Sequence, residues 1–335
     1  MAFGYASLRY LLNDFQKRGI FPHGKLLTLS KYEIYFTAQE FFNITNIKID
    51  DNINGLLTDV QVFKSLGFES VESIDVSVHE GATYIHDLNS DIVPEKLQNR
   101  YDFILDCGTM EHVFHFPNVL KFIYNTLKTD GTFLFNTPCF YGFNHGFYNF
   151  QPTLFRDYFH ANNYIINQMI LFAYDMKNSK LLYELNTITN NIYSDNIPCL
   201  DGKNYHLCGS VTKKSNTTYD IIPQQGYYIP IWKAMEYTKQ ILISALDKTV
   251  YFYGTGNHTI GMLHAFSDEF ENKIAGIISN DQNEFGGKFQ RYTIYSIDDI
   301  NKNSTIIISS IIYQDIIYNR IKHLELENIN IIKLY

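Results

Sequence analysis

Four acidic and imidazole side chains, able to exchange protons or hold a ligand, fall in one short run, DCGTMEHVFH: Asp106, Glu111, His112 and His115. The apolar residues 103–105 precede them, which puts the run at the carboxyl end of a predicted strand, where open α/β sheets place their chemistry. Farther on, residues 140–152 form an aromatic loop bracketed by glycines, with Tyr141, Asn144, His145 and Tyr148. Such a loop suits a pocket that stacks on a sugar or other ring and reaches one hydroxyl. An imidazole near its ordinary pKa takes a proton from a hydroxyl at neutral pH, so His145 is the first candidate general base and His112 the second. Glu111, Tyr141, Asn144 and Tyr148 are the candidate substrate contacts. The plainer alternatives are a helix-capping carboxylate at Glu111 and a surface histidine at 145. Asp106, Glu111, His112, His115 and His145 together offer oxygen and nitrogen ligands, but no spacing among them is diagnostic, and no metal is expected.

The elements that must carry these groups follow from periodicity. After the strand at 101–105, Val119, Leu120, Ile123 and Leu127 recur at helical spacing. The run KTDG at 128–131 should stop that helix, with Gly131 as its left-handed cap. A second strand is expected over 132–136, ended by Pro138. Upstream, a helix is predicted over 5–18 with Gly19 beyond it, then a strand over 25–29, one or two helices within 37–66, a strand over 71–74 ending at Asp75, and a short strand over 83–85 running into Asp87. Downstream come a helix at 153–160, a strand near 165–172, and antiparallel strands over 180–187 and 205–213 around a polar excursion or lid. The polar run KKSNTTYDIIPQQG near 215–226 reads as a linker.

The stretch YDFILDCGTMEHV, followed by a helix and LKTDGTFLFNTP, resembles the fourth and fifth strands of class I S-adenosylmethionine-dependent methyltransferases. The likeness is specific over about 40 residues and extends over about 160. It implies a Rossmann-like sheet and S-adenosylmethionine as cofactor. On that reading Asp75 would accept the ribose hydroxyls, with Glu80 a second candidate, and Asp87 would lie beside the adenine amino group. Asp106, Cys107 and Gly108 would border the cofactor at the end of the fourth strand. The sequence departs from the pattern at the first turn, LSKYE, which has no glycine. There Ser30 and Glu33 are expected to make the polar contacts on a wider path, or else cofactor binding is weakened. Some sugar O-methyltransferases use Mg2+, and the resemblance leaves that possibility open.

A length of 335 residues favours two domains, placed at 1–222 and 223–335. The second reads as a smaller parallel α/β unit: helix 231–246, strand 249–253 entering Gly254-Thr255-Gly256, helix 258–269, strand 274–279, a Gly286-Gly287 turn, strand 305–309, helix 313–323 and strand 329–334. Its glycine turn is expected to hold phosphate on backbone N–H groups at a helix start, with Gly254, Gly256, His258 and Asn280 as candidate ligand contacts. The unit resembles the carboxyl-terminal domain of some sugar C-methyltransferases and the nucleotide-sugar-binding domain of sugar acetyltransferases. That implies a nucleotide-linked sugar or a purely structural role. The net charge of -8 argues against a nucleic-acid or anionic-membrane binder. The cysteines at 107, 139, 199 and 208 form no metal-ligand pairs and read as reduced thiols of a cytoplasmic protein. Neither a signal peptide nor a membrane span is expected.

Overall fold

The computed structural model describes residues 2–49, 57–140, 144–174, 181–187, 205–324, 326 and 328–335. Tyr141, Cys199 and the expected lid, apart from Asn186 and Thr187, lie outside the described residues. Contacts divide the chain into two compact units, Met1–Pro223 and Gln224–Tyr335.

The first unit opens with β1 (Ala2–Gly4) and α1 (Tyr5–Arg18). Gly19 closes that helix in the left-handed conformation, at φ 62°. Next come β2 (Lys25–Thr28), β3 (Glu33–Tyr35), α2 (Ala38–Thr45) and α3 (Asp59–Leu66). Thr37 with Glu40 and Thr58 with Gln61 form capping boxes that fix where the two short helices begin. The chain continues through β4 (Ser70–Asp75), β5 (Tyr84–Ile85), β6 (Tyr101–Cys107), α4 (Phe116–Thr126), β7 (Leu127–Phe140), α5 (Pro152–Ala161), β8 (Ile165–Tyr174), β9 (Leu181–Asn186) and β10 (Tyr205–Thr212).

Eight strands form one sheet in the order β5-β4-β2-β6-β7-β10-β8-β9. Neighbouring strands are parallel from β5 to β7, and β10 pairs antiparallel with both β7 and β8. The chain steps outward from β2 through β4 on one side and through β6 on the other. The crevice above their carboxyl ends is therefore the switch point of the sheet, where such folds bind ligands. Successive residues of β6 face opposite ways. Ile104 packs in one core with α4 and α5, while Phe103, Leu105 and Cys107 pack in a second core with α1 and α3. The thiols of Cys107, Cys139 and Cys208 are all buried.

Three expectations about this unit are corrected. The helix before β7 ends at Thr126, with Leu127 already extended, and Asp130 (φ 64°) rather than Gly131 takes the left-handed conformation. Pro138 does not end the strand, which runs on to Phe140 with Pro138 opposite His206. The segment read as a linker is strapped down as far as Ile221: the buried Asn162 side chain accepts from Ile221 N at 3.1 Å and donates to its carbonyl at 2.9 Å. Tyr158 adds a hydroxyl bond to Tyr219 O.

The second unit comprises α6 (Tyr228–Ser244), β11 (Val250–Tyr253), α7 (Asn257–Phe266), β12 (Ile274–Ile278), β13 (Lys288–Phe289), β14 (Tyr292–Tyr295), β15 (Thr305–Ile308), α8 (Gln314–Lys322) and β16 (Asn330–Lys333). Its strands lie in the order β13-β14-β12-β11-β15-β16. All pairings are parallel except the small hairpin of β13 and β14, which sequence periodicity missed. The fold class expected from the sequence, a Rossmann-like sheet followed by a smaller parallel α/β unit, is the one observed.

Candidate active site

β6 carries Asp106 to its carboxyl end and buries it completely. Oδ1 accepts from the backbone N–H groups of Thr109 and Met110, each at 3.2 Å, and so shapes the 3-10 turn Met110–His112. Oδ2 has no hydrogen-bond partner among the described residues. Burial, reinforced by the nearby Glu111, pushes the Asp106 carboxyl well above the usual range and favours its protonated form.

Glu111 is not the first-turn capping residue its sequence position suggested. It sits in the 3-10 turn, wholly buried, and α4 begins only at Phe116. Its Oε2 accepts from Thr137 Oγ1 at 3.3 Å, and its Oε1 lies 3.5 Å from His145 Nε2. Burial raises this carboxyl too, while the His145 charge pulls it back down. The loop bearing His145 is fastened to the same residue, because Phe147 N and Tyr148 N both donate to Glu111 O, at 2.8 and 3.2 Å. Gly146 makes that approach possible: a Cβ there would lie 2.8 Å from Glu111 O. The His112 and His145 rings are neighbours, tilted at 53° with centroids 5.1 Å apart. Burial lowers the His112 pKa, and the charge of His145 lowers it further.

Gly146 and Thr137 were not singled out by sequence reasoning, although a glycine between His145 and Phe147 was a signal available to it. His206 on β10 was also missed. Burial and the neighbouring His145 charge push its imidazole down to about 4. Only strand pairing places His206 there, so no local pattern announces it.

The other predicted residues spread along the same sheet edge. Ser30 follows β2, buried, with an Oγ that has no partner among the described residues. No residue from 29 to 33 has a positive φ, so the first turn needs no glycine. Tyr32 turns into the aromatic core with Phe3 and Phe63 and donates its hydroxyl to Leu105 O at 2.9 Å. Glu33 is exposed in β3 and accepts from Tyr35 OH. Asp75 ends β4, where its Oδ1 accepts from Ser77 N. Glu80 is exposed in the next turn. Asp87, also exposed, is held below the usual carboxylate range by the backbone and side-chain N–H groups of Asn89. Cys107 presents only its backbone to this edge, since its thiol donates toward Ala2 O and Ser7 Oγ. Gly108 has φ 86° and passes close to Glu111 Oε1.

Asn144 is exposed in a left-handed turn, at φ 55°. Tyr148 donates its hydroxyl to Phe114 O at 2.7 Å and thereby anchors the loop. His115 lies outside the cluster; its backbone N–H donates to Asn89 Oδ1.

In the second unit the four candidates lie about the start of α7 and the end of β12. Gly254 (φ 109°) and Gly256 bracket the turn before α7. Thr255 Oγ1 there lies 3.5 Å from Glu284 Oε2, which also accepts from Ser279 Oγ. That carboxylate opposes a phosphate at the turn. Asn280 accepts from Tyr253 OH. His258, hydrogen-bonded to Tyr335 OH, instead lines a cavity of about 290 Å³ with Tyr227, Tyr228, Met235 and Asn257.

Residues 35–169 match the family model described as a methyltransferase domain. The Rossmann-like sheet of the first unit is the fold expected of such a domain. The Ser30 hydroxyl, without a partner among the described residues, and the left-handed Gly108 at the switch point are groups that could meet an adenosyl ligand such as S-adenosylmethionine. Among solved structures, a protein from Bacillus halodurans C-125 described as a methyltransferase is 10% identical, covering 61% of this chain and 99% of its own, with a TM-score of 0.38. The 1,6-didemethyltoxoflavin-N1-methyltransferase of Burkholderia thailandensis, solved with 1,6-didemethyltoxoflavin and S-adenosylhomocysteine, is 12% identical over 61% of this chain and 76% of its own, with a TM-score of 0.34. Phosphoethanolamine N-methyltransferase 2 of Haemonchus contortus, solved with S-adenosyl-L-methionine, is 11% identical over 61% and 52%, with a TM-score of 0.35. At these scores the likenesses carry no further argument. No curated protein matches the chain. No helix among the described residues is long and apolar enough to cross a membrane.

Proposed function

We propose that the first unit transfers a methyl group from S-adenosylmethionine to a hydroxyl of a sugar or sugar-derived metabolite, in surface-glycan synthesis. The observation that carries the reading is the set of Glu111, His112 and His145, gathered beside the switch point of the sheet. His145 takes the acceptor's proton; its exposed ring is open to a substrate, and buried Glu111 at 3.5 Å stabilises the imidazolium that forms. His112, whose pKa is lowered, stays neutral beside it and is the alternative base. The donor sulfonium would lie between Ser30 and Gly108, with Asp75 or Glu80 toward its ribose and Asp87 toward its adenine. The fold's main contribution is to hold methyl and acceptor oxygen in line. The sugar class rests on the resemblance of the second unit, whose cavity beside His258 is the place for a nucleotide-linked sugar. Transfer to nitrogen or carbon of such a sugar is the neighbouring reaction.

One observation favours a second reading, a binding module without catalysis: every residue of the turn at 29–33 has a side chain, and Tyr32 is buried there. Calorimetry with S-adenosylmethionine and S-adenosylhomocysteine separates the two. Saturable heat, followed by methyl transfer to a supplied sugar acceptor that is lost in His145→Ala, supports the enzyme. No heat and no thermal shift at millimolar ligand supports the binding module.

A further inference from the structure

We propose that Glu111, His112 and His145 form a site for one divalent transition-metal ion. A carboxylate oxygen of Glu111 and one ring nitrogen from each histidine lie within 4.8 Å of one another. One pair, Glu111 Oε1 and His145 Nε2, is already at 3.5 Å. Bonds of about 2.0–2.2 Å to a shared ion place adjacent ligand atoms roughly 3–3.5 Å apart, so a shift of about 1 Å closes the set. The residue free to make that shift is His145, with a side chain 55% exposed, while Glu111 is fixed and fully buried.

A second, independent observation points to a cation. Glu111 Oε1 is buried with only the long 3.5 Å contact to His145 Nε2 among the described residues, whereas Oε2 accepts from Thr137 Oγ1. Leaving a buried acceptor unsatisfied costs about 1–3 kcal/mol. A metal ion at the mouth of the turn satisfies that oxygen and engages both imidazoles. The site is also built in the backbone: the two N–H bonds from the His145 loop to Glu111 O, and the close pass of Gly146, hold the ligands together before any ion arrives.

Two imidazoles and one carboxylate suit Zn2+, Co2+ or Fe2+ better than Mg2+ or Ca2+, which take oxygen sets. Three protein ligands leave coordination positions open. If the methyl-transfer reading holds, an acceptor hydroxyl occupies one of them. Its oxygen would then bond the methyl carbon as the sulfur–carbon bond breaks to release S-adenosylhomocysteine, the hydroxyl proton passing to water because His145, engaged by the ion, would no longer serve as the base. That step rests on the proposed function, whereas the ion site does not.

The test uses the full chain, stripped of metal by a chelator and titrated with Co2+ by visible absorption and with Zn2+ and Mg2+ by calorimetry. The expected result is one Co2+ per chain with ligand-field bands, comparable Zn2+ uptake and far weaker Mg2+ binding. Glu111→Gln, His112→Ala and His145→Ala should each weaken Co2+ by at least about tenfold, and His115→Ala should not. Absence of Co2+ bands, or undiminished binding in both Glu111→Gln and His145→Ala, overturns the site. His145 lies on an exposed loop, so its variant reads binding rather than folding. S-adenosylhomocysteine is titrated into the metal-free protein in parallel, so failure of the ion site and failure of the cofactor reading appear as separate results.

Discussion

Asp106 and Glu111 are two carboxyl groups buried beside one another, and their titration has a direction. In the unfolded chain both ionise near about 4. Burial raises both in the fold, and Glu111 raises Asp106 further. Their contribution to stability is therefore complete below that value and is lost as pH rises through the raised folded values. Asp106→Asn and Glu111→Gln should each flatten the decline, which urea unfolding near about pH 5 and about pH 8 measures. His145→Ala should lower kcat by roughly 10²–10⁴-fold, the range for a lost general base, while S-adenosylhomocysteine affinity measured by calorimetry stays unchanged. The sequence singled out both carboxyls as candidates, because a polar run after an apolar strand has a readable meaning. It did not reveal that Glu111 is buried rather than capping a helix. That depends on Thr137 and Gly146, which arrive from β7 and the loop beyond it.

Elements with local signatures were legible, and those made by pairing were not. The helix ended by Gly19 and the strand preceding Asp106 followed from spacing alone. β1, β13 and β14 are two to four residues long, too short for a period to show, and exist because a neighbouring strand pairs with them. β7 ran past Pro138 for the same reason: β10 pairs along it from Thr132 to Phe140. The strap over α5 was likewise hidden, since one asparagine holding a distant backbone leaves no pattern. Asn162→Ala should cost about 1–3 kcal/mol, because it leaves buried partners unsatisfied. Hydrogen exchange should then rise at Ile221, whose N–H loses the Asn162 Oδ1 that accepts from it, while Thr218 N–H, bonded to the backbone carbonyl of residue 162, serves as the internal control. Gly146→Ala should displace the His145 loop from Glu111 and lower methyl transfer more than stability, as paired kinetic and thermal-unfolding measurements would record.

Each unit of the molecule has its own sheet and its own buried cores. Residues 1–223 expressed alone should therefore fold and bind S-adenosylhomocysteine as the whole chain does, which calorimetry checks directly. Loss of sugar-acceptor turnover in that piece, with cofactor binding intact, would assign acceptor recognition to residues 224–335. Length and the alternation of strands and helices suggested two units, and contacts within the chain divide it after Pro223. Gly254 and Gly256 stand in the turn before α7, and His258, two residues beyond Gly256, lines the cavity beside α6.

The enclosed thiols of the first unit give it an internal clock. Burial pushes Cys107 and Cys139 up to about 12 and Cys208 well above its ordinary value, so alkylating reagents meet neither thiolate nor access in the native state. Iodoacetamide should mark these positions only as fast as the sheet opens. Peptide mass spectrometry would then time, cysteine by cysteine, which strands part first and how far a bound adenosyl ligand slows them.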